Sequence, residues 1–250
     1  MIGAVHGEWI KLITVRSPLM SLISVAAVSI LLAWAIGRGQ APGSPPLTAV
    51  SAATGLLGYG MVILMVMAAL QCTTEYGSGT MATSFQIHRN RTSVIGAKAI
   101  VICLVTGTTG GVVAFASVLT GRLVAPDGGD RLSLVSAEAV RLYYGVPLFA
   151  IAASLMAIGV ANIIRHTAGT VATVIIWPLL IEGLTTLIPN IGEKIATVLP
   201  FTNGQYFLGS EQGLAFSYPP IGGLGVLAAW TVALYLAGLW SVRVRDVQPK

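Results

Sequence analysis

The chain has 250 residues, of which 55% are hydrophobic and only 9% charged, and its mean hydropathy is +0.83. These values lie far outside soluble globular usage and exclude an ordinary water-soluble domain. The formal charge of +5 comes without a basic tract interleaved with aromatics, so it speaks for membrane topology and anionic headgroups and against nucleic acid.

At the N-terminus, Ile2, Val5, Trp9 and Leu12 recur at the spacing of one helix face. The pattern predicts a short amphipathic helix over about residues 2–16, with Glu8 and Lys11 off the apolar stripe and Arg16 at its end. An interfacial Trp with basic neighbours places such a helix in the membrane plane at the inner headgroups.

Six apolar segments follow, at about 18–37, 48–72, 94–120, 143–164, 168–188 and 221–241. Each supplies roughly the 20 residues that cross a hydrocarbon core of about 30 Å. The expectation is an all-α integral membrane protein with one domain over residues 1–250. The first apolar run begins late, near Pro18, is as long as a span and lacks a small-residue cleavage site, so it reads as a retained helix. Six spans put both termini on one side. Lys11, Arg16, Arg89, Arg91, Lys98, Arg165, Arg243, Arg245 and Lys250 then fall inside, against Arg38, Arg122, Arg131, Arg141 and Lys194 outside, which assigns the termini to the cytoplasm.

Cys72 and Cys103 fall at or within membrane segments and read as small packing residues. Between the second and third spans, Thr73 to Lys98 is a polar, basic interruption. It holds Glu75 and Tyr76, a Gly77-x-Gly79-Thr80 turn, a run long enough for one or two helical turns, and a basic cluster of His88, Arg89 and Arg91. Nothing in it looks catalytic; it reads as a cytoplasmic docking element.

The outer connectors differ. Residues 38–47 form a short Pro and Gly link. Residues 121–142 are charged, with a helix expected from about Ser133. Residues 189–220 are too apolar for a solvated loop and are expected to fold back against the membrane face. Glu182 is the one acid inside an apolar segment, and two readings stay open for it: a role in a substrate path or an interhelical contact, or an interfacial or structural group within about two turns of the outer surface.

The sequence has no GxxxxGK[ST] loop, so the chain is not expected to hydrolyse ATP by itself, and no HExxH or GxSxG motif suggests a hydrolase. LGSEQG at Leu208 to Gly213 is a chance likeness to a nucleotide-contacting signature, in a predicted outer loop. His6, His88 and His166 lie at predicted inner edges. A stand-alone secondary transporter or channel is the competing class, hinted at by Glu182 and the Gly107 to Gly111 patch. Glycines at those positions more often serve close helix packing.

GEWIKLITVRSP at Gly7 to Pro18 resembles the opening common among ABC-2 type transporter permeases. QCTTEYGSGTMATSFQIHRNRTSVIGAKAIV is similar to that family's segment between spans two and three, although many relatives have Pro ahead of the basic pair where this chain reads Gln86, Ile87, His88. LPFTNGQYFLG at Leu199 to Gly209 is a looser match to the segment before the last span. With six spans, the resemblance covers essentially the whole chain.

The resemblance implies the membrane subunit of an ATP-binding-cassette exporter in a prokaryotic cell membrane, pairing with a second permease subunit, identical or homologous. Two separate ATPase subunits would carry ATP and Mg, and this chain would bind no cofactor and no metal itself. The loop containing Thr80 to Arg91 would hold a coupling helix that docks on the ATPase, with Glu75, Tyr76, Gly79, Thr80, Phe85, His88, Arg89 and Arg91 as coupling residues. A hydrophobic or amphipathic cargo is implied, such as a drug, lipid-linked molecule or peptide.

Overall fold

A computed structural model describes residues 2–40, 45–81, 91–126, 132–189, 191–210 and 213–245. Among them the regular elements are helical: α1 (Ile2–Thr14), α2 (Arg16–Arg38), α3 (Ala49–Ala52), α4 (Met61–Ser78), α5 (Arg91–Val124), α6 (Ala137–Ile164), α7 (Thr167–Ile176), α8 (Glu182–Thr185), α9 (Gly192–Ala196), α10 (Pro200–Leu208) and α11 (Pro220–Val244). Two π-turns, Leu56–Gly60 and Trp177–Ile181, run into α4 and join α7 to α8. The second contains Pro178, whose missing N–H breaks the regular α ladder and favours the wider turn.

Among the described residues, six helical stretches are long and apolar enough to cross a membrane: Arg16–Arg38, Leu56–Ser78, Thr92–Val124, Ala137–Ile164, Thr167–Thr185 and Pro220–Val244. They mark a multi-pass membrane protein. The hydropathy segments find all six, but the polar ends of several belong to the helices. Thr73–Ser78 continues α4, and α5 begins at Arg91, so both ends of the expected interruption from Thr73 to Lys98 belong to helices, while residues 82–90, where most of the expected coupling helix falls, lie outside the described residues. The extension is possible because the Glu75 carboxylate is neutralised within the bundle by two lysines, and Gly79 stops it by turning left-handed at φ 74°. The connector expected over 121–142 is likewise shortened by α5 running to Val124 and by Ser136 capping α6, its side chain accepting from the Ala139 N–H at 3.2 Å.

α4, α5 and α6 form the buried centre, while α2, α7 and α11 expose most of their length. α6 packs against α5, α4 and α11. Its crossing with α11 is a backbone contact: a Cβ on Gly159 would come 2.4 Å from the Leu234 carbonyl oxygen, and one on Gly238 would come 2.7 Å from that of Gly159. The Gly107 to Gly111 patch is also a packing surface, Gly110 lying against Val146 and Ala150 of α6. Cys72 is a buried thiol in the α4 core and Cys103 a half-buried one on α5, both free.

Alternating spans give the bundle two distinct ends. α1, the last turn of α4, the start of α5 and the ends of α6 and α11 meet at one end. α3, the start of α6 and α8 to α10 meet at the other, where Glu138 Oε1 accepts from the Val50 N–H at 3.0 Å. The segment expected to fold back is built of α9 and α10, and α10 is largely buried.

Candidate functional site

At the first end four side chains close an alternating ring of charge. Lys98 Nζ lies 2.5 Å from Glu8 Oε2 and 3.0 Å from Glu75 Oε1; Lys11 Nζ lies 2.7 Å from Glu8 Oε1 and 3.0 Å from the same Glu75 oxygen. Glu8 and Lys11 are one turn apart on α1, Glu75 is in the last turn of α4, and Lys98 is two turns inside α5. Lys98 is 1% exposed, so its ammonium has lost its water shell, and two carboxylates replace it. Two acids and two bases leave the ring without net charge.

The ring explains how α1 sits. Ala4, Glu8 and Leu12 are buried, whereas Trp9 is 43% exposed and Ile10 and Ile13 also point outward. The expected stripe of Ile2, Val5, Trp9 and Leu12 with Glu8 off it is therefore rotated, because the buried ammonium of Lys98 demands a counter-ion and Glu8 supplies it. Burial opposes ionisation of Glu8, but Lys98 and Lys11 more than offset it and hold the carboxyl below its ordinary range. Burial likewise disfavours the Lys11 cation, and Glu8 and Glu75 outweigh it, so the ammonium titrates above its ordinary value.

Beside the ring, the Tyr76 hydroxyl donates to Asn162 Oδ1 at 2.8 Å, and the Arg165 guanidinium lies 5.3 Å from the Tyr76 ring centroid. Arg165 Nη2 donates to the Ser241 carbonyl at 2.8 Å, and Ser241 Oγ donates to that of Asn162 at 3.1 Å. The ends of α4, α6 and α11 are thus tied together next to the place where α1 is clamped.

Of the residues singled out from sequence, Glu8, Lys11 and Glu75 come together in the ring and Tyr76 adjoins it. Gly79 ends α4, and Thr80 follows with its hydroxyl 2.9 Å from Ser78 Oγ. Arg16 is exposed at the start of α2 and Arg91 begins α5. Phe85, His88 and Arg89 lie outside the described residues. Lys98 and Asn162 were not singled out as site residues. The signal for Lys98 is a lone cation in an apolar run, which needs an acid close by.

At the opposite end Glu182, 4% exposed, caps α10 from another helix. Its Oε1 accepts from Trp177 Nε1 and the Phe201 N–H, each at 3.1 Å, and its Oε2 from the Thr202 N–H at 2.7 Å and Thr202 Oγ1 at 2.8 Å. α10 opens on Leu199 and Pro200, neither of which can cap it, so the acid fills the place of a missing N-cap. At the far end of α10, Arg141 donates from Nε to the Phe207 carbonyl and from Nη2 to that of Tyr206 at 3.1 Å. A carboxylate at the N-terminus and a guanidinium at the C-terminus both complement the helix dipole. The carboxylate thus makes a structural contact that holds the start of α10 against α8.

The sequence matches no family model, and no curated protein matches it. The functional reading rests on the geometry and on the resemblance of the motifs.

Proposed function

We propose that this chain is the membrane subunit of an ATP-driven exporter of the ABC-2 type, forming with a second permease subunit the path for a hydrophobic or amphipathic cargo. The observation that carries the reading is the ring of Glu8, Lys11, Glu75 and Lys98. It joins α1 to both helices that flank residues 79–90, the segment that by resemblance docks on the ATPase. A load on that segment reaches α1, α4 and α5 together, so the three move as one rigid unit when the partner closes on ATP. α1 then acts as an elbow at the inner headgroups, with Trp9, Ile10 and Ile13 turned toward lipid. This orientation has both termini in the cytoplasm, in keeping with the nine-to-five distribution of Lys and Arg.

A stand-alone carrier needs an ionisable group within the membrane that is free to exchange its partners. Glu182 is poorly suited to that role, because two carboxylate oxygens accept about four hydrogen bonds and four donors already occupy them. The ATP-driven reading has a direct test. Purified from its native membranes in mild detergent, the tagged protein should co-elute with an ATPase subunit carrying both Walker motifs. A paired Arg89→Ala and Arg91→Ala substitution should reduce that co-elution while insertion and folding persist. Elution without an ATPase, or transport that continues in ATP-free vesicles, would overturn the assignment.

A further inference from the structure

An apolar cavity of about 240 Å³ lies between α4, α6, α7, α10 and α11. Met65, Met156, Val174 and Phe201 form its buried floor, and the half-buried Trp177 and Trp230 stand at its mouth with ring centroids 6.1 Å apart. It takes no part in the ring or in the capping of α10. Its volume exceeds the ~150 Å³ of an engineered apolar cavity that stays dry and takes up benzene.

The polar atoms of the lining side chains are already spent. Thr173 Oγ1 donates to the Gly169 carbonyl at 2.8 Å, Trp177 Nε1 to Glu182, and Trp230 Nε1 to the Val198 carbonyl at 2.9 Å. A guest inside finds dispersion contacts and no hydrogen-bond partner, which selects hydrocarbon and rejects a headgroup or a hydrated solute. The supply of hydrocarbon is at the mouth. Leu179 follows Trp177 and Val232 follows Trp230, and both are exposed on the outer surface of a membrane-spanning helix, as is Leu236 further along α11.

We propose that this cavity is a binding site for one acyl chain of a bilayer phospholipid, which enters between α7 and α11 past the tryptophan pair while its headgroup stays at the membrane surface on the Glu182 side. The chain fills space that otherwise leaves Met65, Met156 and Phe201 without contacts on one side. Trp177 donates to Glu182 and Trp230 to the Val198 carbonyl, and the two rings are in contact, so the chain enters beside the pair and not between the rings.

The test uses the full-length protein in phosphatidylcholine vesicles containing a phosphatidylcholine with a diazirine at the end of one acyl chain. After irradiation, adducts should map to Met65 and Met156, each 3% exposed and out of reach of lipid that merely surrounds the bundle. Adducts confined to outward positions such as Leu179, Val232 and Leu236 would overturn the proposal. Val174→Phe, which fills the floor, should abolish the Met65 and Met156 adducts and keep those at Leu236. Leu234→Trp, which fills the cavity from the α11 side and leaves the floor residues unchanged, should do the same, so that a poorly folding Val174→Phe leaves the experiment decisive. Persistence of the inner adducts in a folded variant would refute the site. The readout requires no ATPase and no transport, so its failure would leave the exporter reading untouched.

Discussion

Lys98 Nζ and Glu8 Oε2 lie 2.5 Å apart, joining a membrane-spanning helix to an N-terminal helix ninety positions earlier. The bond fixes which face of α1 is buried. Lys98→Met should leave Glu8 and Glu75 sharing the half-exposed Lys11 as their one remaining cation in the ring, and removal of one partner from a buried pair costs about 3–5 kcal/mol. Thermal unfolding in detergent measures the loss. The double variant Glu8→Gln with Lys98→Met should lose clearly less than the sum of its single variants, because each change removes a charge that the other has left with one counter-ion fewer. Simple additivity would show that the two side chains are not coupled.

The ring also sets the pH range over which α1 stays docked. Glu8 titrates in the folded protein below its ordinary 4.5, so its contribution is complete above 4.5 and disappears as the pH falls through the lower folded value. Lys11 titrates above its ordinary 10.5, so its contribution is complete below 10.5 and disappears as the pH rises through the higher folded value. Docking should therefore be flat between about pH 5 and 10 and weaken in stronger acid. Limited proteolysis of α1 across this range measures it, and Glu8→Gln should remove the contribution of Glu8 to the acid limb. A transition centred near neutral pH would contradict the assignment.

What was legible in the sequence follows from the length scale of each signal. The six spans emerge because a bilayer imposes about 20 apolar residues on every crossing helix. The orientation of α1 does not emerge, because an apolar stripe counts Trp9 and Leu12 alike and cannot register a counter-ion on another helix. The same limit hides the supports of α10. Leu199 and Pro200 advertise a helix start without a capping side chain, but nothing local says that Glu182 fills the gap or that Arg141 serves the other end. Glu75 looks like part of a polar loop and Lys98 like a lone cation entering a span until their pairing is seen, after which both belong to membrane helices.

The capping role of Glu182 makes a different prediction from a transport role. Glu182→Ala should leave the Phe201 and Thr202 amides without their acceptor at the start of a buried helix, at a cost of about 1–3 kcal/mol for each unsatisfied group. Glu182→Gln, which keeps one carbonyl oxygen, should lose less. Hydrogen exchange should accelerate at those two amides in both variants and more strongly with Ala. Unchanged exchange at both positions would remove the capping role.

The crossing of α6 and α11 gives a prediction that depends on backbone contact alone. Gly159 and Gly238 face each other so closely that an added Cβ on the first meets the Leu234 oxygen at 2.4 Å and on the second the Gly159 oxygen at 2.7 Å. Neither obstacle is the flexible end of a side chain, so relief requires the helices to separate. Separation would also pull on the Arg165 and Ser241 bonds that tie α6 to α11 at the end where α1 docks. Gly159→Ala should therefore lower stability by about 1–3 kcal/mol, the usual range for overpacking. Gly225→Ala on α11 is the control, since nothing lies within 4 Å of its added methyl group. There the better helix propensity of Ala should leave stability unchanged or slightly raised. Equal melting temperatures for the Gly159 and Gly225 variants would mean that the two helices do not cross in backbone contact.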